Sequence, residues 1–248
     1  MTLIKAEQIS KSFGEGMGKT QVLRQVNLEI DRGDFACIMG PSGSGKSTLL
    51  FALSAMDRLD EGKVSFNDRS LYDLDERELA DIRRKEMGFV FQDATMINSL
   101  DILDNILLPS YDRYKENREE LEKKARQVMD RIGIAGLENR QITEVSGGQL
   151  QRASICRAIL HDPEILFGDE PTGALNSRST EEILDLFCEL NKEGMTILLV
   201  THDAQVAARA KKVFFMKDGH LESALVFDEE DTDLRLKQIT DRMVSLQI

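Results

Sequence analysis

The chain has 248 residues, 41% hydrophobic and 31% charged, enough for one large domain or one domain with a helical insert. Its net charge of −12 argues against nucleic-acid binding, which needs a basic footprint, and against unaided binding to anionic lipid. No run approaches the ~18 apolar residues of a membrane span, residues 1–7 lack the apolar core and cleavage site of a signal peptide, and Cys37, Cys156 and Cys188 are too scattered for a disulfide framework or a metal cluster.

Residues 3–38 read as strand-rich, with Leu23, Val26, Leu28 and Ile30 in partial alternation. Residues 34–39 read as a short buried strand and residues 46–55 as a helix. Between them Gly40-Pro41-Ser42-Gly43-Ser44-Gly45-Lys46-Ser47-Thr48 fits G-x-x-x-x-G-K-[ST]. A nucleoside triphosphate carries several negative charges that must be held away from water. Glycines let backbone N–H groups turn inward and approach the phosphates, and the helix N-terminus adds its positive dipole end. Lys46 then reaches the β- and γ-phosphates and the Ser47 hydroxyl ligates Mg²⁺.

Further strands are predicted at 62–66 and 88–91, with a charged helix at 76–84 between them. From Asp93 to Glu144 the pattern turns helical, with helices at 101–108 and 116–134. The second places Leu121, Ala125, Val128, Met129 and Ile132 on one face. The α/β pattern resumes at Pro163, with strands at 164–167, 195–200 and 212–216 and a turn at Asp218-Gly219. The alternation predicts an α/β fold with a largely parallel central sheet. After Phe227 an acidic run at 228–231 precedes a helix with Leu236, Ile239, Met243 and Leu246 on one side. That helix either docks on its own domain, the preferred reading, or contacts a partner.

A P-loop alone says only that a nucleoside triphosphate is bound. Ser146-Gly147-Gly148-Gln149 supplies a second helix N-terminus that suits an anion. Ile165-Leu166-Phe167-Gly168-Asp169-Glu170 is an apolar strand ending in two carboxylates. Asp169 can hold Mg²⁺ through water, and Glu170 can polarise an attacking water.

With these motifs in order, the chain resembles the ATP-binding cassette family over nearly its full length. Gly40 to Ser47 resembles Walker A, Phe91-Gln92 the Q-loop and Ser146 to Gln149 the signature motif. Ile165 to Glu170 resembles Walker B, Gly173-Ala174-Leu175-Asn176 the D-loop, and Thr201-His202-Asp203 the H-loop. Phe13 stands where the family places an adenine-stacking aromatic; the other reading is a core aromatic. Gln92 is read as a sensor of γ-phosphate and metal, or as a plain surface amide. His202 is read as a γ-phosphate contact, or as a structural histidine. The family usually carries Asp at the position of Asn176. Asn keeps the hydrogen bonding and loses the charge, which bears on coupling between paired sites.

The resemblance implies a P-loop NTPase core with an antiparallel N-terminal β subdomain and a helical subdomain inserted at about 93–160. The domain would span 1–227 and a tail 228–248. It implies an ATPase using ATP and Mg²⁺, with Glu170, His202 and Gln92 catalytic and Ser47, Gln92 and Asp169 at the metal. Two cassettes would pack head to tail, each ATP lying between Walker A of one and Ser146-Gly147-Gly148 of the other. Residues 92–105, ending at Asn105, would receive a membrane permease, placing the chain peripherally at the inner face of the cell membrane without lipid insertion. Asp169-Glu170-Pro171-Thr172-Gly173-Ala174-Leu175, the loop at 14–20 and the Met56-Asp57 turn after Leu49-Leu50 resemble the macrolide-export and lipoprotein-release group. The Ala174-Leu175-Asn176 variant and the tail look most like its bacitracin-efflux branch, which pairs with an FtsX-like permease and serves antimicrobial-peptide resistance. The alternatives are lipoprotein release and a cassette driving a non-transporting complex in cell division or signalling. A soluble translation or repair ATPase fits less well, since tandem cassettes and a long coiled coil are both missing.

Overall fold

The computed structural model describes residues 1–111, 114–228 and 231–248, and the backbone alone at 17 and 114–116. Part of the acidic run predicted at 228–231, residues 229 and 230, lies outside the described residues.

In chain order the elements are β1 (Thr2–Phe13), β2 (Thr20–Asp31), β3 (Phe35–Met39), α1 (Lys46–Leu53), β4 (Glu61–Phe66), β5 (Arg69–Ser70) and α2 (Glu76–Glu86). Then come β6 (Met87–Phe91), α3 (Ile102–Leu107), α4 (Tyr114–Arg131), α5 (Gly147–Ile159), β7 (Ile165–Asp169) and α6 (Ser177–Lys192). The chain ends with β8 (Thr196–Thr201), α7 (Ala204–Ala207), β9 (Lys212–Lys217), β10 (His220–Val226) and α8 (Thr232–Leu246). It divides into two compact units, one built from Met1–Asp81 with Asn191–Ile248, the other from Ile82–Leu190.

The first unit holds an antiparallel sheet in the order β2-β1-β4-β5. Leu23, Val26, Leu28 and Ile30 are all buried, although Leu23 and Val26 are three residues apart. Two bulges explain the broken alternation. Register slips between Ala6 and Ile9 and again between Ile9 and Lys11, at Gln8 and Gln25, both with positive φ (51° and 49°). Each bulge amide finds a side-chain acceptor: Gln8 N–H donates to Asn27 Oδ1 at 2.9 Å and Gln25 N–H to Ser10 Oγ at 3.2 Å. The same unit holds β10, β9, β3 and β8 side by side. β3 runs parallel to β8 and β9, and β10 antiparallel to β9. Cys37, Ile38, Met39, Leu199 and Phe215 are fully buried in these strands, as parallel strands covered on both faces require.

The tail helix α8 docks on this unit, as the preferred reading of its apolar face expected. Ile239 is fully buried. The Arg235 guanidinium lies 5.7 Å from the Phe227 ring centroid and donates to Ala210 O at 3.4 Å. Lys217 Nζ donates to Leu246 O at 2.8 Å, and Arg242 Nε to Ser223 Oγ at 3.0 Å. Asp231 caps the helix by accepting from the Asp233 and Leu234 amides.

In the second unit β6 and β7 pair in parallel, with Phe89 stacked on Phe167 at 5.3 Å. The predicted stripe of α4 is buried at Ala125, Met129 and Ile132. Boundaries differ from the sequence reading for local reasons. The helix predicted from 101 starts at Ile102, because Asp101 is its cap, accepting from Asp104 N–H at 2.8 Å. The helix predicted to reach 134 stops at Arg131, where Gly133 turns to φ +78°. The helix predicted to 55 ends at Leu53, and Ala55 carries φ +51°.

One buried amide organises the segment before α3. Asn105 is fully buried. Its Oδ1 accepts from Ile97 N–H at 2.7 Å, and its Nδ2 donates to the carbonyls of Ile97, Leu100 and Asp101 at 2.9–3.2 Å. Asn105→Ala removes these bonds and leaves buried backbone groups unpaired. It is expected to destabilise the protein by about 2–3 kcal/mol in urea unfolding, and to raise hydrogen exchange at the Ile97 amide.

Candidate functional site

Each unit brings its own set of predicted residues together. In the first unit, Met39 of β3 lies opposite Thr201 of β8. In-register parallel strands end at one edge, so Gly40 and His202 leave the sheet side by side. The loop from Gly40 to Gly45 cannot carry ordinary side chains at its ends. A Cβ on Gly40 would lie 2.1 Å from Met216 O, and one on Gly45 (φ +104°) would lie 2.9 Å from Val22 O. Lys46 opens α1, is 7% exposed, and donates from Nζ to Gly40 O at 2.9 Å and Pro41 O at 3.0 Å. Ser44 Oγ is buried without a hydrogen-bond partner among the described residues. An unsatisfied buried hydroxyl is costly and calls for an explanation. A phosphate oxygen would answer it, and the loop also presents a buried ammonium and a helix N-terminus, both suited to an anion. Ser42, Gly43, Ser47 and Thr48 complete this stretch.

His202 is exposed just past β8, and the next residue, Asp203, caps α7 by accepting from Gln205 N–H at 2.8 Å. Phe13 ends β1 opposite Thr20 of β2. The Phe13 side chain is 45% exposed, so the core-aromatic reading does not hold. Val22, two residues along β2, is the strand residue that crowds Gly45, which sets this hairpin against the loop.

In the second unit, Phe91 of β6 lies opposite Asp169 of β7. Gln92 and Glu170 therefore follow at one edge. The Gln92 amide rests on Gly173, where a Cβ would meet its Cδ and Nε2 at 3.2 Å. Glu170 has φ +47°, a left-handed conformation unusual for a non-glycine residue, and Gly173 N–H bonds its carbonyl at 3.0 Å. Ser146 caps α5 in a capping box: its Oγ accepts from Gln149 N–H at 3.2 Å, and Gln149 Oε1 accepts from Ser146 N–H at 2.8 Å. Both Ser146 and Gly147 are exposed, and Gly148 packs on Ser179. Asn176 caps α6, its Oδ1 accepting from Ser179 N–H at 2.9 Å. Asp caps equally well, so the missing charge leaves the local fold as it is. Ser47, Gln92 and Asp169 are hard oxygen donors of the kind Mg²⁺ takes. Among the described residues there is no cluster of His, Cys, Asp and Glu suited to another metal. Cys37 and Cys156 are buried, Cys188 half-buried, and burial pushes the Cys156 thiol well above its ordinary range.

Two residues of α5 escaped the sequence reading. Gln151, 2% exposed, donates from Nε2 to Phe91 O at 2.9 Å and Pro171 O at 2.7 Å. One amide thus ties the signature helix to the residues flanking Gln92 and Glu170. The Arg157 guanidinium donates to Ala94 O at 2.8 Å and Thr95 O at 3.0 Å, fixing the segment after Gln92. Neither left a clear sequence signal, since α5 also buries the polar Ser154. Gln151→Leu is expected to cost about 2–4 kcal/mol in stability, because two buried carbonyls lose their donor. ATPase turnover at saturating ATP should also fall, which separates the effect from fold loss when read below the variant's own melting range.

A family model described as ABC transporter matches residues 23–173. The bacitracin export ATP-binding protein BceA of Halalkalibacterium halodurans is 39% identical over 240 residues, covering 96% of this chain and 94% of its own. The macrolide export ATP-binding/permease protein MacB of Bdellovibrio bacteriovorus is 40% identical over 89% of this chain, which spans only 34% of MacB. The dimeric, post-hydrolysis structure of the ATP-binding cassette MJ0796 bound to ADP and Pi matches with a TM-score of 0.84 and 37% identity, covering 92% of this chain and 100% of that one. The chain belongs to the ABC transporter family, as an ATP-binding cassette with ATPase activity.

Proposed function

We propose that this cassette hydrolyses Mg²⁺-ATP between two copies of itself and drives an FtsX-like membrane permease for export of, or resistance to, antimicrobial peptides. The observation that carries the reading is the match to BceA over nearly the whole of both chains, at 96% and 94% coverage. MacB, matched over 34% of its length, combines cassette and permease in one chain. Among the described residues no helix is long and apolar enough to cross a membrane. The near-full-length match to BceA, an ATP-binding protein by name, supports a permease as a partner. That partner places the cassette at the inner face of the membrane. The MJ0796 cassette is a dimer, which supports pairing of two copies; the head-to-tail arrangement is part of the proposal.

The roles follow from the chemistry. Lys46 and the loop from Gly40 to Thr48 neutralise the phosphates, with Ser44 Oγ as one hydroxyl contact. Phe13 stacks on the base. Ser47, Gln92 and Asp169 would hold Mg²⁺, which would supply charge neutralisation at the phosphates. The Glu170 carboxylate accepts a proton from water as the water oxygen attacks the γ-phosphorus and the bond to the bridging oxygen of ADP breaks. Gln92 and His202 contact the γ-phosphate. From the second copy, Ser146, Gly147 and Gly148 at the α5 N-terminus face the same phosphate, with Gln149 keeping Ser146 in place. ATP binds the closed pair better than the open one, so cleavage of the γ-phosphate releases it. Residues 92–105 receive the permease: Arg157 and Asn105 fix this segment and Ile97 stays 42% exposed on it.

Glu170→Gln is expected to bind ATP, accumulate as a dimer by light scattering and hydrolyse roughly 10²–10⁴-fold more slowly. Lys46→Ala is expected to lose tight ATP binding and the dimer with it. Wild-type turnover in the first variant would remove Glu170 as the base. Co-purification with the permease encoded nearby, and ATPase stimulation by a cell-wall-active peptide, tests the transport role.

Asn176→Asp is expected to leave ATP affinity of the cassette alone within about twofold, since the cap is kept. Turnover or cooperativity of the assembled transporter should change, because a negative charge enters near the second nucleotide. Steady-state ATPase in lipid beside equilibrium binding decides it.

A further inference from the structure

Phe13 has an aromatic ring with two faces, and one of them is occupied. Lys11, two residues earlier on β1, places Nζ over that ring, 4.9 Å from its centroid. The ammonium is not free to reach a phosphate. It forms an ion pair with Asp57 at 2.8 Å, donates to the Arg58 carbonyl, and has a side chain only 11% exposed. Asp57 is fixed in turn, because the Tyr72 hydroxyl lies within hydrogen-bond distance of both Ala52 O (2.8 Å) and Asp57 O (2.7 Å). The Met56-Asp57 turn after α1 thus reaches across to the aromatic at the end of β1, all within the first unit. A cation on one face of a ring holds it by its quadrupole and draws π density away from the other face. The ring remains 45% exposed, so a face stays open for a ligand.

We propose that Lys11 is a positioning residue for the nucleobase: anchored by Asp57 and the Arg58 carbonyl, it holds the Phe13 ring so that its open face stacks on an electron-rich purine. The inference rests on the reading that Phe13 stacks on the base. It makes the lysine act on the base and leaves the triphosphate to the loop around Lys46.

The test measures dissociation constants of the full chain for ATP, CTP and inorganic tripolyphosphate, each with Mg²⁺, by competition. Lys11→Met is expected to weaken ATP roughly fivefold, leave tripolyphosphate unchanged and narrow the preference for ATP over CTP. Lys11→Arg should restore ATP affinity, since a guanidinium also stacks on a ring. Asp57→Asn should give the same split in smaller measure and serves if Lys11→Met does not fold. Equal weakening of ATP and tripolyphosphate would show a merely structural lysine and overturn the inference, as would unchanged ATP affinity. Phe13→Ala is the control on the underlying reading. If it too leaves ATP affinity unchanged, the base does not stack there and both ideas fall. If it weakens ATP while Lys11→Met does not, only the inference about Lys11 is lost.

Discussion

In-register parallel pairing is the constraint on which the candidate residues of each unit depend. Parallel strands end together at one edge, and the residues that follow are released side by side. In the first unit the pairing of Met39 with Thr201 delivers Gly40 and His202. In the second the pairing of Phe91 with Asp169 delivers Gln92 and Glu170. A slip of one residue in either pair would offset the two residues released beyond it and separate them along the edge. The apolar runs before each site residue are therefore part of its positioning: Cys37, Ile38, Leu199 and Phe167 are fully buried and hold the register.

Much of this was legible in the sequence, for a definite reason. The P-loop is written in residue types that have few substitutes. Backbone approach at Gly40, positive φ at Gly45 and a buried cation at Lys46 each narrow the choice almost to one. The strand ending in Asp169-Glu170 announces itself by a change from apolar to acidic. Features held by side chains distant in sequence left little trace. Lys11 and Asp57 are 46 positions apart, and Gln151 meets Phe91 across 60. The bulges at Gln8 and Gln25 were hidden because glutamine is not a residue that advertises positive φ. Phe13 had two readings, and only its exposure separates them.

The N-terminal strand and the signature helix share a style of construction. In each, a polar side chain bonds two backbone or charged groups belonging to other segments. Lys11, Gln151 and Arg157 work this way, and so does Asn105 over a shorter distance. Such bonds fix position more than they add net stability, because each replaces bonds to water of similar strength. They keep loops that carry reactive groups in one arrangement without lengthening the strands.

Glu170 shows where that arrangement conflicts with the backbone. Its φ of +47° is one that glycine or asparagine adopts far more easily. Local conformational preference and the carboxylate that the proposed role requires pull in opposite directions at this position. Under that proposed role, a library of variants sorted for thermal resistance alone would drift toward Gly or Asn at residue 170 and enrich inactive cassettes. Sorting for retained turnover would hold the glutamate and force gains in robustness to other sites. The conflict makes position 170 a marker of which selection a population of these proteins has experienced.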